Sequence, residues 1–327
     1  MEAYFDNAAT TKVFPEVKDL VVKLMEEDYG NPSSLHQKGL DAGHYIKETK
    51  EILAKEWKVD SKEIVLTSGG TESNNLALIG AALANKRSGN RIITSKVEHA
   101  SVSSTMAFLE SLGFEVVYLN VDHQGIVDLE QLEQEVNEDT ILVSVMYVNN
   151  EIGAVEPIQK IAEIIKEKNP KTLFHVDAIQ AFGKYHIYPK RMGIDLMSVS
   201  GHKIHGPKGT GALFIKNRTK VKPIIYGGGQ QDGMRSGTEN VPGFAGFGLA
   251  TKIVYEDLEA RIVRMRAVKD RLTERLKALP DVYINEGEAP HILSVSFVGV
   301  RSEVMLHALE ERQIYVSSGS ACSSNKP

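Results

Sequence analysis

From residue 64 onward, short apolar runs alternate with segments whose apolar positions recur at helical spacing. Residues 64–67 read as a strand and 72–86 as a helix. The pair repeats at 91–95 and 101–112, and again at 115–119 and 129–136. Residues 141–147 form the most apolar run and predict a buried strand, followed by a helix over 158–168. Residues 173–176 and 196–199 are further strands. Strands that alternate with helices predict an α/β fold with a mostly parallel sheet and helices on both faces. After Gly248 the rhythm changes. Residues 249–279 are long, charged and periodic and predict one or two helices, with a domain boundary inside them. A strand over 291–297 and a helix over 303–312 complete the pattern.

Composition narrows the classes without choosing one. The 327 residues suffice for one large domain and a smaller one, and 42% hydrophobic with 25% charged residues is an ordinary globular mix. A net charge of -5, spread along the chain, points to no direct nucleic-acid partner and no anionic membrane surface. No apolar run is long enough to span a bilayer, and the first residues lack a signal-peptide pattern. One cysteine, Cys322, excludes an intrachain disulfide and an all-cysteine metal site, and its simplest setting is a reducing cytoplasm. A lone thiol is either a small buried hydrophobe or a reactive group.

In a doubly wound sheet, ligands bind beyond the carboxyl ends of the strands. Five such ends carry candidate chemistry. After the first strand stands Gly69-Gly70-Thr71-Glu72, where glycines and a helix start can cradle a phosphate; the plain alternative is a capped turn. After the second stands His99, able to stack on a ring or shuttle a proton, or simply to cap a helix. Asn149-Asn150 follows the apolar strand and can fix a cofactor oxygen or a substrate carboxylate, or build a turn. Asp177 follows the next strand, where a carboxylate needs a cation such as a pyridinium or an arginine. Gln180 stands three positions on and can donate to a ring oxygen. The last end runs Ser200-Gly201-His202-Lys203, with a lysine that can bond a carbonyl cofactor and two groups able to reach a phosphate. His202 and His205 lack the carboxylate or cysteine that would complete a metal site. Together the five ends supply what pyridoxal 5'-phosphate requires: a phosphate cradle, a ring stacker, a carboxylate for the ring nitrogen, a donor to the phenolic oxygen and a lysine.

With those residues in hand, the chain resembles the cysteine desulfurases of the iron–sulfur cluster and tRNA-thiolation branch. The resemblance runs through Phe5-Asp6-Asn7-Ala8-Ala9-Thr10-Thr11, Gly30-Asn31-Pro32-Ser33-Ser34 and Gly70-Thr71-Glu72-Ser73-Asn74-Asn75. It continues through Asn149-Asn150-Glu151-Ile152-Gly153, Gly201-His202-Lys203, Arg235-Ser236-Gly237-Thr238 and Ser318-Gly319-Ser320-Ala321-Cys322. It covers essentially the whole chain. It implies a fold-type-I homodimer whose large domain spans 15–250, with 1–14 and 251–327 in a small domain. Lys203 would hold the cofactor and serve as acid and base, His99 would stack on the ring, Asp177 would pair with the ring nitrogen and Gln180 would bond the phenolic oxygen. Gly70, Thr71, Ser200 and His202 would hold the phosphate, and Thr238 would reach the phosphate in the partner subunit. Asn150 would lie near cofactor and substrate carboxylate. Cys322 would take sulfur from L-cysteine as a persulfide, leaving L-alanine, and pass it to an acceptor protein: a scaffold, a thiouridylase or a small carrier. Family members continue past the cysteine loop with a tail that completes the small domain and carries an arginine that grips the substrate carboxylate; the sequence ends at Pro327, and Arg235 is not assigned that job in its place. Two alternatives share these motifs: a selenocysteine lyase or other fold-type-I enzyme, and an inactive platform that binds acceptor proteins.

Overall fold

The computed structural model describes residues 2–285 and 287–319. The elements run β1 (Ala3–Tyr4), α1 (Pro15–Glu26), α2 (Gln37–Trp57), β2 (Ile64–Thr67), α3 (Gly70–Asn85), β3 (Arg91–Ser95), α4 (Ala100–Ser111) and β4 (Glu115–Leu119). They continue α5 (Leu129–Glu135), β5 (Thr140–Met146), α6 (Ile158–Lys168), β6 (Leu173–Asp177), β7 (Leu196–Ser200) and β8 (Gly211–Ile215). The C-terminal part holds α7 (Val241–Glu256), α8 (Leu258–Lys277), β9 (Val282–Asn285), β10 (Ser294–Phe297), α9 (Ser302–Glu310) and β11 (Ile314–Tyr315).

Seven strands form the main sheet in the order β2-β8-β7-β6-β5-β3-β4. The run from β7 to β4 is parallel, and β8 is antiparallel to both of its neighbours. The expected mostly parallel α/β sheet is therefore present. Its strands alternate between two cores, because successive side chains point to opposite faces. Leu66, Ile93, Val143 and Phe214 join α1, α2, α6 and α7 on one face, whereas Val65, Ile92, Leu142 and Leu213 join α3 and α4 on the other. All seven residues of β5 are buried, which is why that run reads as continuously apolar.

Three expectations change. The helix expected from residue 249 begins at Val241, after Asn240 caps Gly243 N–H, and ends at Glu256; α8 begins after a break at Asp257. Glycines in 241–248 serve close packing. A Cβ on Gly248 would stand 2.9 Å from Thr49 Oγ1, so the glycine lets α7 lie directly on α2. The strand expected over 291–297 begins only at Ser294, and His291 sits in the preceding turn. Two helices, α1 and α2, and the antiparallel β8 stand where the strand–helix alternation marked nothing. At the far end, β1 pairs in parallel with β11, which joins the N-terminus to the C-terminal part.

Candidate active site

A cavity of about 240 Å³ opens at the carboxyl ends of β5, β6 and β7, where the topology places ligand sites. Nine of the residues expected from the sequence line it: Gly70, Thr71, His99, Asn150, Asp177, Gln180, Ser200, His202 and Lys203. Thr238 does not; it is exposed, outside the cavity of its own chain. Cys322 lies outside the described residues. Ser317 and Gly319, just before it in sequence, line the cavity.

One end of the cavity is the N-terminus of α3. Gly69 adopts φ +146°, a conformation that L side chains rarely take, and no side chain caps the helix. The first-turn N–H groups and the positive end of the helix dipole favour an anion there. Ser200 lies beside Gly69 and Gly70, and His202 lines the same cavity. His202 is pushed down to about 4 by burial and then by the neighbouring Lys203, so at neutral pH it is an uncharged donor or acceptor.

Asp177 forms the floor. It is 4% exposed, and no lysine, arginine or histidine pairs with it within 4 Å among the described residues. Its Oδ1 accepts from Ile179 N–H at 3.0 Å and its Oδ2 from Asn74 Nδ2 at 2.8 Å. Burial raises its proton affinity; the two hydrogen bonds and the charge of nearby Lys203 oppose that. A carboxylate so placed is short of a cation.

Lys203 follows β7. Its Nζ donates to Ala8 O and, at 2.8 Å, to Ala9 O, so the N-terminal segment wraps the lysine. Lys184 Nζ in turn donates to the Lys203 carbonyl at 2.6 Å. Burial, and then Lys203, push Lys184 down to about 7. Gln180 Nε2 donates to Ala8 O at 2.9 Å, leaving one amide hydrogen for a ligand. Gln180 Oε1 meets His291 Nε2 at 3.3 Å.

The two adjacent asparagines divide their work. Asn149 Oδ1 accepts from Glu151 and Ile152 N–H, so Asn149 builds the turn, while Asn150 faces the cavity. His205 turns away and stacks on Phe14 with ring centroids 4.4 Å apart. No group of three or more metal-ligating residues occurs among the described residues.

The model of the Aminotransferase class-V family matches residues 3–327. The chain belongs to the class-V aminotransferase family. Relatives named cysteine desulfurase IscS are 43% identical in Dictyoglomus turgidum, over 99% of this chain and 83% of that protein, and 42% identical in Methanosarcina thermophila, over 98% and 80%. A solved structure described as a NifS-like protein superposes with a TM-score of 0.95 at 40% identity, over 97% of this chain and 88% of that one. Another, described as SspA in complex with cysteine, gives 0.83 at 34% identity, over 98% and 90%.

Class-V aminotransferases use pyridoxal 5'-phosphate. The residues present fit that group. The unpaired Asp177 carboxylate suits a pyridinium N–H⁺, the uncapped α3 N-terminus with Ser200 and His202 suits a phosphate, and the second hydrogen of Gln180 suits a phenolic oxygen. These residues are legible in the sequence because each ends or closely follows a strand. The strand-end pattern gave no role to Asn74, Ser101, Lys184, His291 or the Ala8 and Ala9 carbonyls, which act on the site through hydrogen bonds. Asn74 and both alanines stood inside quoted motifs. Ser101 and Lys184 carried no signal except proximity to one, and His291 carried none.

Proposed function

We propose that the chain is a pyridoxal-phosphate-dependent cysteine desulfurase. The observation that carries this reading is one cavity lined by Lys203, Asp177 and His99 and also by Ser317 and Gly319, the segment that leads to Cys322. The relatives named cysteine desulfurase support it, as does the similar structure described as a complex with cysteine.

Bound pyridoxal 5'-phosphate supplies an electron sink for negative charge that develops beside it. The α3 N-terminus, Thr71, Ser200 and His202 hold the phosphate, and Thr238 reaches the phosphate of a partner subunit in a homodimer. Asp177 keeps the ring nitrogen protonated. His99 covers the ring face, and Gln180 fixes the phenolic oxygen. Lys203 Nζ holds the cofactor and moves protons to and from the substrate, whose carboxylate lies near Asn150. Cys322 attacks the substrate sulfur as the thiolate. The S–S bond of a Cys322 persulfide forms as the substrate Cβ–S bond breaks, the electron pair of the Cβ–S bond stays with the carbon skeleton, and the skeleton takes up protons and leaves as L-alanine. The persulfide then passes to an acceptor protein for iron–sulfur cluster assembly or tRNA thiolation, in the cytoplasm. The β1–β11 pairing supports a large domain of 15–250 with 1–14 and 251–327 in a smaller one.

The test is a cysteine assay on purified protein. Incubation with L-cysteine and a reductant releases alanine and sulfide in equal amounts. Lys203→Ala loses the visible absorption band of the bound cofactor and roughly 10³-fold or more of the turnover. Cys322→Ser keeps the band and loses most of the sulfide. Full turnover in Cys322→Ser favours a lyase without a protein persulfide, and a coloured protein that releases no alanine favours an acceptor-binding platform. A colourless wild type that releases no alanine overturns the proposal.

A further inference from the structure

Three hydrogen bonds join the floor of the cavity to His99. Asn74, in the second turn of α3, is fully buried. Its Nδ2 donates to Asp177 Oδ2 at 2.8 Å and to Ser101 Oγ at 2.9 Å, which uses both amide hydrogens. Its Oδ1 is buried with no partner among the described residues. Chemistry fixes the orientation of this amide. Turned over, it would set a carbonyl oxygen against the Asp177 carboxylate, acceptor facing acceptor. An unpaired buried acceptor costs free energy, so the fold keeps Asn74 for its two donors.

Ser101 continues the chain. Its backbone N–H donates to His99 Nδ1 at 3.1 Å, and its hydroxyl lies 2.8 Å from the same nitrogen. A ring nitrogen that receives a backbone N–H is an acceptor, so the hydrogen of the neutral ring sits on Nε2. The Ser101 hydroxyl accepts from Asn74 and has its own hydrogen left for Nδ1. Polarity thus runs one way, from Asn74 through Ser101 to His99, and such chains reinforce themselves.

We propose that Asn74 is a positioning residue that sets two walls of the cavity at once, orienting the Asp177 carboxylate with one amide hydrogen and, through Ser101, holding His99 in its Nε2–H tautomer with the other. The consequence for cofactor binding rests on the pyridoxal-phosphate reading; the consequence for the His99 tautomer does not. Asn74 is part of the quoted Thr71-Glu72-Ser73-Asn74-Asn75 motif, where nothing in the sequence separates it from Asn75. The structure separates them: among the described residues, Asn75 Nδ2 bonds back to Thr71 O within its own helix.

Asn74→Asp keeps the shape, removes the two donors and sets a second carboxylate against Asp177. Ser101→Ala keeps the Asn74–Asp177 bond and removes only the relay hydroxyl. Two readouts apply: titration of apo-protein with pyridoxal 5'-phosphate, and ¹⁵N resonances of histidine-labelled protein, with His99 assigned by its loss in His99→Gln. The wild type shows a bare Nδ1 and a protonated Nε2. Asn74→Asp weakens the cofactor about tenfold or more at pH 8 and mixes the His99 tautomers. Ser101→Ala moves the Nδ1 resonance while changing cofactor affinity by less than about threefold. In the double variant the Nδ1 resonance matches that of Asn74→Asp alone, because the relay is already cut. Wild-type cofactor affinity and unmoved His99 resonances in Asn74→Asp overturn the proposal. Where Asn74→Asp does not fold, Ser101→Ala decides it: an unmoved Nδ1 resonance overturns the relay and a moved one upholds it. A wild type that binds no cofactor breaks the functional reading instead, and the tautomer measurement still decides this one.

Discussion

The cavity has a floor and a rim of different build. The floor stands on β5, β6, β7 and α3, where every residue of β5 and β7 is buried and Asn74 and Asp177 meet out of reach of water. The rim comes from the first eleven residues and from the segment after α8. There α9 has no buried residue, α8 buries only Leu258, and β9 and β10 pair with each other rather than with the main sheet. Among the described residues of that segment, only Ala289 and Ile292 enter the main core. A carboxylate kept short of a cation is costly, and only a densely packed sheet can hold one in place. The rim brings backbone carbonyls and single side chains that close over the cavity, supported by few buried apolar contacts. Precision is built into the floor and adaptability into the rim.

Hydrogen exchange would show the largest difference between the two. Local opening free energies run from near zero to the global stability, so amides of β5 and β6 are expected to exchange roughly 10³-fold or more slowly than those of β9, β10 and α9. Equal protection in both regions would dissolve the contrast.

Asp177→Asn asks whether the floor gives up stability for function. The amide is nearly isosteric and carries no charge to bury. Turnover falls on the order of 10²-fold or more, because the ring nitrogen loses its counter-ion. The melting temperature of the apo-protein holds or rises over the same change. A variant that loses activity and stability together would make Asp177 a structural residue.

The sequence carried the floor better than the rim, and for a physical reason. Parallel strands buried on both faces read as unbroken apolar runs, so β3, β5, β6 and β7 and the polar residues at their ends stood out. The first two turns of α7 did not, because Gly243 makes room for the Asn240 cap and Gly246 and Gly248 let α1 and α2 pack closely, and such a glycine run looks like loop. His291 was read into a strand. Its position is set by a bond to Gln180, 111 residues away, which no local pattern encodes. Asn74 and Ser101 were invisible as a pair because helix α3 and the start of α4 meet only in three dimensions.

A smaller effect is expected from the acid groups beneath the floor. Glu98 Oε1 accepts from Ser95 Oγ at 2.6 Å and from Met146 N–H at 3.0 Å, and its Oε2 is buried without a partner among the described residues. Burial pushes Glu98 up to about 8, against the two hydrogen bonds; Glu156 is pushed up to about 7 in the same way. Between the ordinary glutamate range and pH 8 the native protein therefore keeps a proton that the unfolded chain releases. That contribution to stability is whole below about pH 4.3 and fades as the pH rises through about 8. Apo-protein should melt at a lower temperature at pH 9 than at pH 6. Glu98→Gln, neutral at both, should lessen that fall without abolishing it, since Glu156 titrates with the same sign. An unchanged slope in Glu98→Gln would mean that Glu98 is ionised in the folded state.

The smallest effect tests a side-chain contact between the C-terminal part of the rim and the floor. His291 Nε2 donates to Gln180 Oε1, which points the Gln180 amide hydrogens toward Ala8 O and the cavity. Burial holds the His291 ring well below its usual range, so it stays neutral and its contribution is a single uncharged hydrogen bond. Such a bond is worth about 1 kcal/mol, or roughly fivefold in affinity. His291→Ala should weaken pyridoxal 5'-phosphate by about that factor, leave the protection of β5 and β6 unchanged, and raise exchange only in residues 287–297. Spectrophotometric titration with the cofactor and peptide-resolved exchange measure the two. A loss of 10²-fold or more, or lowered protection in the sheet, would place His291 in the floor and redraw the boundary between the two regions.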